Sequence, residues 1–320
     1  DNVPNLEIFR EYTGKIWDES DTFDFYAIEL TDGWNFVIEL YNVPETVDYN
    51  LALVDSAGNV IASSITPVNG DHEEIFFECE TDGTYYIRVN GRSSSDYSDS
   101  ESYSVRYRRY YKIRRGDYTN ADFGTINEAI ADLIGYVEGD IIPSPITSPV
   151  LFYIYDDGTV NGGIYNQNIG GTLGLAPVPG ASMNNTITFM AAPNNYPLMD
   201  CSGYYHGINL NGADYLIFDG IEIQDMDSCG VNFKFGSDNN IIRNCKIHDY
   251  GFVGVHINES QNLYFHNNVV YDQDCEYHAV FFYRCRNTRF HNNTIYSYTY
   301  YKTNYTLGYS SRYGTVATEG

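Results

Sequence analysis

The sequence predicts an all-β chain with two domains: an antiparallel β-sandwich or jelly roll over residues 1–112, then a right-handed parallel β-helix over residues 113–320. Short segments with alternating apolar residues fill the first part, which is typical of a sandwich. Segments at near-constant spacing recur in the last part, which is typical of a solenoid. With 320 residues, 43% of them hydrophobic, the chain can bury a core in each domain.

The first domain is predicted from short strand-like segments between residues 20 and 110, separated by the turn sequences TDG, SAGN and ETDG. Three of these segments, Asp24–Tyr26, Leu51–Ala62 and Gly83–Val89, resemble the bacterial and archaeal pre-peptidase C-terminal domain. The resemblance implies a sandwich that serves as an accessory module beside secreted enzymes and surface proteins.

The segment VRYRRYYKIRR, residues 105–115, carries six of the 18 basic residues of the chain. Alternation places Arg106 and Arg108 on one face. The segment could dock on an acidic surface of the second domain or of a neighbouring subunit, or it could be a solvated last strand and linker. The candidate interface residues are Arg106, Arg108, Arg109, Lys112, Arg114 and Arg115.

The segment TINEAIADLIGYV predicts a helix over about residues 125–135. Thr125 and Glu128 have the spacing of a capping box, and Ile126 and Ile130 lie on one apolar face. A single helix before a run of strands indicates a cap on the second domain.

Four segments of the second domain align as a repeat. The first column of equivalent positions, separated by 24, 23 and 25 residues, is Phe218, Ile242, Phe265 and Phe290. Two more apolar columns are Ile223, Ile247, Val270, Ile295 and Ile208, Val231, Val255, Val280. These periods predict stacked coils over about residues 205–298.

Upstream of the repeat, the strand, turn and strand of VLFYIYDDGTVNGGIYNQNI resemble the start of a right-handed parallel β-helix of the pectate-lyase-like superfamily. The resemblance implies that the predicted helix plugs the N-terminal end of the solenoid.

The motif FHNN occurs at residues 265–268 and 290–293, and we interpret its asparagines as structural. Asn tolerates the left-handed backbone of a sharp corner, and amides stacked about 4.8 Å apart can hydrogen-bond along the solenoid. The predicted ladder comprises Asn244, Asn267, Asn268, Asn292 and Asn293.

Aspartates that stack after the Ile223 column form the first candidate functional site. Carboxylates one rung apart repel each other, so they need a cation, raised pKa values or splayed side chains. The superfamily resemblance implies calcium, and the candidate ligands are Asp225, Asp227, Asp249, Asp272 and Asp274. The alternative is a set of ordinary acidic turns in an acidic protein.

The outward side of the Ile208 column forms the second candidate site. The resemblance to β-helix lyases implies a base that removes the proton beside a uronate carboxylate and a cation that neutralises that carboxylate. Lys234, His256 and Arg284 are the candidate catalytic residues under this interpretation. The alternative is that these are ordinary polar side chains exposed to solvent.

The formal net charge of −25 argues against nucleic acid as a partner, and no apolar run is long enough to span a bilayer. The 32 tyrosines, with abundant Asn, Gly and Ser, favour an extracellular or cell-surface protein. The candidate N-glycosylation sites are Asn184, Asn258, Asn292 and Asn304.

The sequence favours a structural role as a subunit of an extracellular filament, sheath or surface layer. Its partners would be further copies of the chain, neighbouring surface proteins or a polysaccharide. The alternatives are a polysaccharide lyase with an accessory sandwich and a glycan-binding adhesin. Whether the chain is an enzyme stays open, with the balance against it, because fold does not fix function.

Overall fold

The computed structural model describes residues 3–115, 120–135, 141–156, 164–272, 278–297, 307–310 and 316–319. The chain divides into two units, Asp1–Tyr110 and Tyr111–Gly320. The described residues form strands and a single α-helix, which confirms the all-β prediction. Within them, no helix has the length and apolar character needed to cross a membrane.

The first unit is an antiparallel sandwich of two sheets. Its strands are β1 (Tyr12–Gly14), β2 (Phe23–Leu30), β3 (Asn35–Tyr41), β4 (Tyr49–Val54), β5 (Val60–Ser64), β6 (Glu73–Glu78), β7 (Gly83–Gly91) and β8 (Tyr103–Arg114). One sheet has the order β2-β7-β4-β5, and the other has β6-β3-β8 with β1 paired to β8. Leu51 and Leu53 of the first sheet share one buried core with Phe36 and Ile38 of the second.

The helix α1 (Ile126–Leu133) begins in the second unit with the predicted capping box. The backbone N–H of Glu128 donates to Thr125 Oγ1 at 3.0 Å, and the Glu128 carboxylate accepts from the Thr125 N–H at 3.1 Å. The apolar face of α1, including Ile126 and Leu133, is buried in the same core as Phe152. The amphipathic pattern therefore predicted both the helix and its buried side.

The remaining strands all belong to the second unit. They are β9 (Val150–Tyr155), β10 (Ile164–Asn166), β11 (Ile187–Ala191), β12 (Leu198–Asp200), β13 (His206–Asn211), β14 (Leu216–Asp219), β15 (Glu222–Gln224), β16 (Cys229–Lys234), β17 (Ile241–Arg243), β18 (Lys246–His248), β19 (Val253–Asn258), β20 (Tyr264–His266), β21 (Val269–Asp272), β22 (His278–Tyr283), β23 (Thr288–His291), β24 (Thr294–Ser297), β25 (Leu307–Ser310) and β26 (Val316–Glu319).

These strands form three parallel sheets, as a β-helix requires. Their orders are β9-β11-β14-β17-β20-β23-β26, β10-β12-β15-β18-β21-β24 and β13-β16-β19-β22-β25. The register pairs Phe218 with Ile242, Ile242 with Phe265, and Phe265 with Phe290. The predicted columns are therefore the rungs of the solenoid.

Aromatic rings stack along the inside of the solenoid sheet that begins with β9. Phe152 lies 4.6 Å from Phe189, and Phe265 lies 4.9 Å from Phe290, between ring centroids. Full burial of each such side chain contributes roughly 1.5–3 kcal/mol, so the repeated column supplies a large share of the core.

Asparagines form the sharp corner between the solenoid sheet that begins with β9 and the one that begins with β10. Asn244, Asn267 and Asn292 have φ values of 55°, 58° and 52°, the left-handed region that asparagine tolerates better than other residues with a Cβ. The side chain of Asn268, one residue further on, is buried.

Asn268 links three successive coils. Its Oδ1 accepts from the backbone N–H of Cys245 at 2.9 Å, and its Nδ2 donates to the Ile242 carbonyl at 3.0 Å. The same Nδ2 donates to Asn293 Oδ1 at 3.0 Å. One amide therefore satisfies backbone groups that a tight corner would otherwise leave unpaired.

We expect Asn268→Ala to lower the free energy of unfolding by about 2–4 kcal/mol, because it leaves a buried N–H and a buried carbonyl without partners. Urea unfolding measures the change. The control Asn184→Ala removes an exposed asparagine and should have an effect within about 0.5 kcal/mol. Equal stability of the two variants would contradict a structural role for the Asn268 amide.

Candidate functional site

A buried polar column lies on the outer face of the sheet formed by β13, β16, β19 and β22. Ile208 and Leu210 point into the core, so Asn209 between them faces outward. The parallel register places Asn232 and His256 at the same position on the next two rungs. Two amides and an imidazole are thus stacked on one surface.

Hydrogen bonds fix the orientation of this column. Asn209 Nδ2 donates to the Gly171 carbonyl at 2.8 Å, and Asn232 Nδ2 donates to Asn209 Oδ1 at 3.0 Å. Asn232 Oδ1 lies 3.0 Å from His256 Nδ1. Because the amide oxygen can only accept, this network assigns the His256 proton to Nδ1 and leaves a lone pair on Nε2.

His206 joins the column although simple alternation predicts an inward side chain. The ladder between β13 and β16 skips Gly207, and a Cβ there would lie 2.6 Å from Ile223 Cγ2 in the core. The backbone bends at this point and turns His206 outward. His206 Nε2 then accepts from Asn232 Nδ2 at 3.1 Å.

Sequence reasoning missed His206, but a signal for it is present. Glycine recurs on successive rungs as Gly207, Gly230 and Gly254. A Cβ at Gly230 would lie 2.3 Å from Ile247 Cγ2, so the bend requires glycine. A repeated glycine within a strand pattern marks the place where alternation fails.

The two histidines are held neutral next to a lysine. Burial, followed by the charges of Lys234 and His256, lowers the pKa of His206 to about 4. Burial and the Lys234 charge also lower the pKa of His256 below its ordinary value of 6.5. The Lys234 ammonium forms no hydrogen bond or ion pair with any residue that the structure describes. The Nδ1 atom of His206 is buried and has no hydrogen-bond partner there either.

Arg284, the third candidate catalytic residue, is engaged elsewhere. Its Nη1 lies 2.6 Å from Glu259 Oε1, and its guanidinium lies 5.0 Å from the centre of the Tyr283 ring. The hydrogen bond with Glu259 raises the pKa of Arg284. Its charge is therefore balanced locally, whereas the Lys234 charge acts on His256. The catalytic role of all three residues stays a prediction.

The Lys234 ammonium supplies a cation, and Nε2 of the half-buried His256 supplies an imidazole lone pair, on this face. Such groups can bind a carboxylate and hydroxyl groups, and a neutral imidazole can accept a proton. The strands β13, β16, β19 and β22 contain no aspartate or glutamate. They therefore do not supply the pair of carboxylates that most glycoside hydrolases use.

The predicted aspartate stack lies at a second corner of the solenoid. Asp225 and Asp249 have φ values of 59° and 55°, and both are exposed. Burial, followed by the charges of Asp200 and Asp249, raises the pKa of Asp225. Asp249 Oδ2 lies 2.8 Å from His248 Nδ1, so an imidazole faces one member of the stack.

The remaining candidate calcium ligands of this stack do not complete a metal site among the described residues. Asp227 is exposed, and the side chains of Asp272 and Asp274 lie outside the described residues. Among the described residues, Asp225, Asp227 and Asp249 do not converge as a metal-binding group. Calcium at this turn stays a prediction.

A cluster that the sequence did not indicate lies beside the stack. Glu222 Oε1 lies 2.8 Å from His248 Nε2 and 2.5 Å from Lys246 Nζ. The hydrogen bond from His248 is the main cause that lowers the pKa of Glu222 to about 2, and burial opposes it. His248 also stacks on Tyr271 at 4.8 Å. These mutual contacts leave the cluster neutralised and favour a structural role.

The basic segment binds largely within the first unit. Arg106 Nε and Arg108 Nε lie 2.8 and 2.7 Å from Glu39 Oε2, and Arg109 lies 3.7 Å over the Trp34 ring. Burial raises the pKa of Glu39, but the two arginines together hold it below its ordinary value. The remaining members of the segment, half-buried or exposed, are Lys112, Arg114 and Arg115. A docking role for the segment stays a prediction.

Glu39 also belongs to the one group in the described residues with the geometry of a metal site. Its carboxylate and ligand atoms of His72 and Glu74 lie within 4.8 Å of one another. Because two arginines already bind Glu39, a metal ion would have to displace them, so the group does not fit a resident metal.

The candidate glycosylation sites differ in accessibility. Asn184 and Asn292 are exposed, whereas Asn258 is half-buried, and its Oδ1 has no partner among the described residues. Asn304 lies outside the described residues. Glycosylation stays a prediction.

Two protein families match the chain. Residues 22–91 match the bacterial pre-peptidase C-terminal domain, and residues 182–313 match the right-handed β-helix region. No curated protein matches the chain.

Solved structures match with low identity. The pre-peptidase C-terminal domain of a collagenase from Bacillus anthracis is 19% identical, with a TM-score of 0.28, over 34% of this chain and 96% of that chain. The catalytic domain of a GH87 α-1,3-glucanase in complex with nigerose is 11% identical, with a TM-score of 0.29, over 96% of this chain and 72% of that chain.

The catalytic unit of a thermostable GH87 α-1,3-glucanase from Streptomyces thermodiastaticus strain HF3-3 is 12% identical, with a TM-score of 0.30, over 84% of this chain and 55% of that chain. The family matches agree with the antiparallel sandwich of the first unit and the parallel coils of the second. The chain therefore carries a bacterial pre-peptidase C-terminal domain followed by a right-handed β-helix region.

Proposed function

We propose that the chain is a secreted or cell-surface carbohydrate-binding protein, and that the outer face of β13, β16, β19 and β22 binds an anionic polysaccharide. The observation that carries the proposal is the buried column of Asn209, Asn232 and His256 beside the unpaired Lys234. A buried polar network on the outside of a solenoid has no role in filling the core. It fixes the orientation of the half-buried His256, whose Nε2 lone pair is left to accept from a hydroxyl group of a sugar.

The unpaired ammonium favours an anionic ligand. In a chain of net charge −25, most exposed cations would be expected to find carboxylates nearby. Lys234 has no such partner among the described residues, and both neighbouring imidazoles are neutral. A ligand carboxylate is the group that would complete this site.

A polysaccharide lyase is the second candidate, because the geometry also supplies a base. Nε2 of the neutral His256 would take the proton beside a uronate carboxylate, and Lys234 would stabilise the negative charge that develops there. The electron pair would form a carbon–carbon double bond while the glycosidic carbon–oxygen bond breaks. The departing oxygen would take a proton from solvent.

The predicted role as a subunit of an extracellular assembly is compatible with polysaccharide binding, because a surface layer or sheath can be anchored through glycans. The same site would serve a glycan-binding adhesin. In this proposal, a calcium ion at the Asp225 turn would have a structural role and would not contact the polysaccharide.

We expect Lys234→Ala to weaken binding of polygalacturonate about tenfold, because it removes the cation of the site. Isothermal titration calorimetry at low salt measures the affinity. Lys15→Ala is the matched control, since it removes the same charge from the first unit, where Lys15 donates to the Asp99 carbonyl. Equal affinities of the two variants would exclude Lys234 from the site.

For the lyase candidate, the rate should rise with pH as His256 loses its proton. The half-maximal rate should lie below pH 6.5, because burial and the Lys234 charge lower the pKa of His256 from that ordinary value. Lys234→Gln should lower the rate and move the rise to higher pH. The ultraviolet absorbance of the unsaturated product follows the reaction, and His266→Gln, on another sheet, is the control. The absence of product across uronate polymers would remove the lyase candidate and leave binding.

For the assembly, we expect electron microscopy of the purified protein to show filaments or sheets, and sedimentation at the same concentration to show species heavier than 36.4 kDa. Stable monomers by both methods would contradict self-assembly.

A further inference from the structure

A groove of about 690 Å³ lies on the outer face of a different sheet, the one that contains β14, β17, β20 and β23. Its size falls in the range of ligand-binding clefts. The lining residues, all in the second unit, include Met183, Tyr215, Tyr264 and Arg289 together with three asparagines. No part of the column around Lys234 lines it.

The floor of the groove is one outward column of the sheet. The register places Ile241, Tyr264 and Arg289 on three successive rungs. Tyr264 is 38% exposed, and the Arg289 guanidinium lies 5.3 Å from the centre of its ring. An apolar side chain, an aromatic ring and a cation thus follow one another along the solenoid axis.

One wall of the groove is an amide ladder at the corner before this sheet. Asn262 Nδ2 donates to Asn239 Oδ1 at 3.0 Å, and Asn287 Nδ2 donates to Asn262 Oδ1 at 3.2 Å. Each of these amides keeps at least one N–H that has no partner among the described residues. The wall therefore presents a donor at each rung.

Arg289 gives the groove its charge. It is the one charged side chain among the described residues that line the groove, and it has no ion pair with any described residue. By contrast, Arg243 on the same sheet is bound to Asp219 at 2.7 Å. An unpaired guanidinium in an acidic protein favours an anionic ligand group.

The same pair of features, a corner amide and an outward floor residue, recurs from rung to rung. A repeating surface matches a repeating ligand that lies along the solenoid axis. The Tyr264 ring can stack on a sugar ring, the amides can bond its hydroxyl groups, and Arg289 can bind its anionic substituent.

We propose that this groove is a second polysaccharide-binding site, which takes a linear glycan bearing carboxylate or sulfate groups. It rests on the proposed carbohydrate-binding function for the class of ligand only, because its residues and its sheet differ from those of the Lys234 site. The chain would then hold polysaccharide on two faces of one solenoid.

The test is titration calorimetry of the full chain with trigalacturonate, with a sulfated trisaccharide and with a neutral maltotriose control. Wild-type protein should bind two molecules of an anionic trisaccharide, and maltotriose should not bind. Arg289→Gln and Tyr264→Ala should each weaken binding at one site by about tenfold and leave the Lys234 site unchanged. The two anionic ligands show whether carboxylate or sulfate is preferred.

Matched controls are Arg286→Gln, which changes an exposed arginine outside the lining, and Tyr296→Ala, which changes a tyrosine that is 42% exposed on another sheet. Thermal melting checks that every variant is folded. An affinity about tenfold lower at one site in both groove variants, with unchanged controls, supports the proposal. Unchanged binding in folded Arg289→Gln and Tyr264→Ala overturns it.

Lys234→Ala separates the two proposals. A single remaining site in that variant, lost on adding Arg289→Gln, supports the groove. If Lys234→Ala removes all binding, the second site does not exist. If it removes none while Arg289→Gln removes one site, the groove stands and the Lys234 site fails.

Discussion

The parallel register between successive coils is the constraint on which the rest of the second unit depends. It pairs Phe265 with Phe290 inside and His266 with His291 outside through the same hydrogen-bond ladder. A slip of one residue would turn every buried side chain to solvent. Because the core fixes the register, it also fixes which polar groups meet on the outer faces. The columns at Lys234 and at Arg289 are thus consequences of core packing.

The corners and bends decide which way side chains on that register point. At the Asn corners the left-handed backbone carries the chain from one sheet to the next within two residues. A buried amide such as that of Asn268 pairs backbone groups at this corner. At Gly207 the bend turns His206 out of the core and into contact with Asn232. The same solenoid therefore uses one kind of special backbone position for stability and another to build a polar surface.

Charge pairing differs among the cations of this acidic molecule. Arg106 and Arg108 bind Glu39, and Arg284 binds Glu259. Lys234 and Arg289 have no such partner among the described residues, and each lies beside fixed amides. These unbalanced cations, on a molecule of net charge −25, are the reason we propose anionic ligands for the two faces.

The sequence by itself determined the sandwich, the capping helix, the coil spacing and the Asn corners, because each follows from a local pattern or from a period that every coil repeats. It also placed Lys234 and His256 on one outward face. Only the tertiary structure decided that His206 joins them and that Arg284 is neutralised. The bend at Gly207 breaks the alternation from which the direction of each side chain is predicted. The ion pair of Arg284 joins coils about 25 residues apart in the sequence, and a sequence pattern does not contain the distance between them.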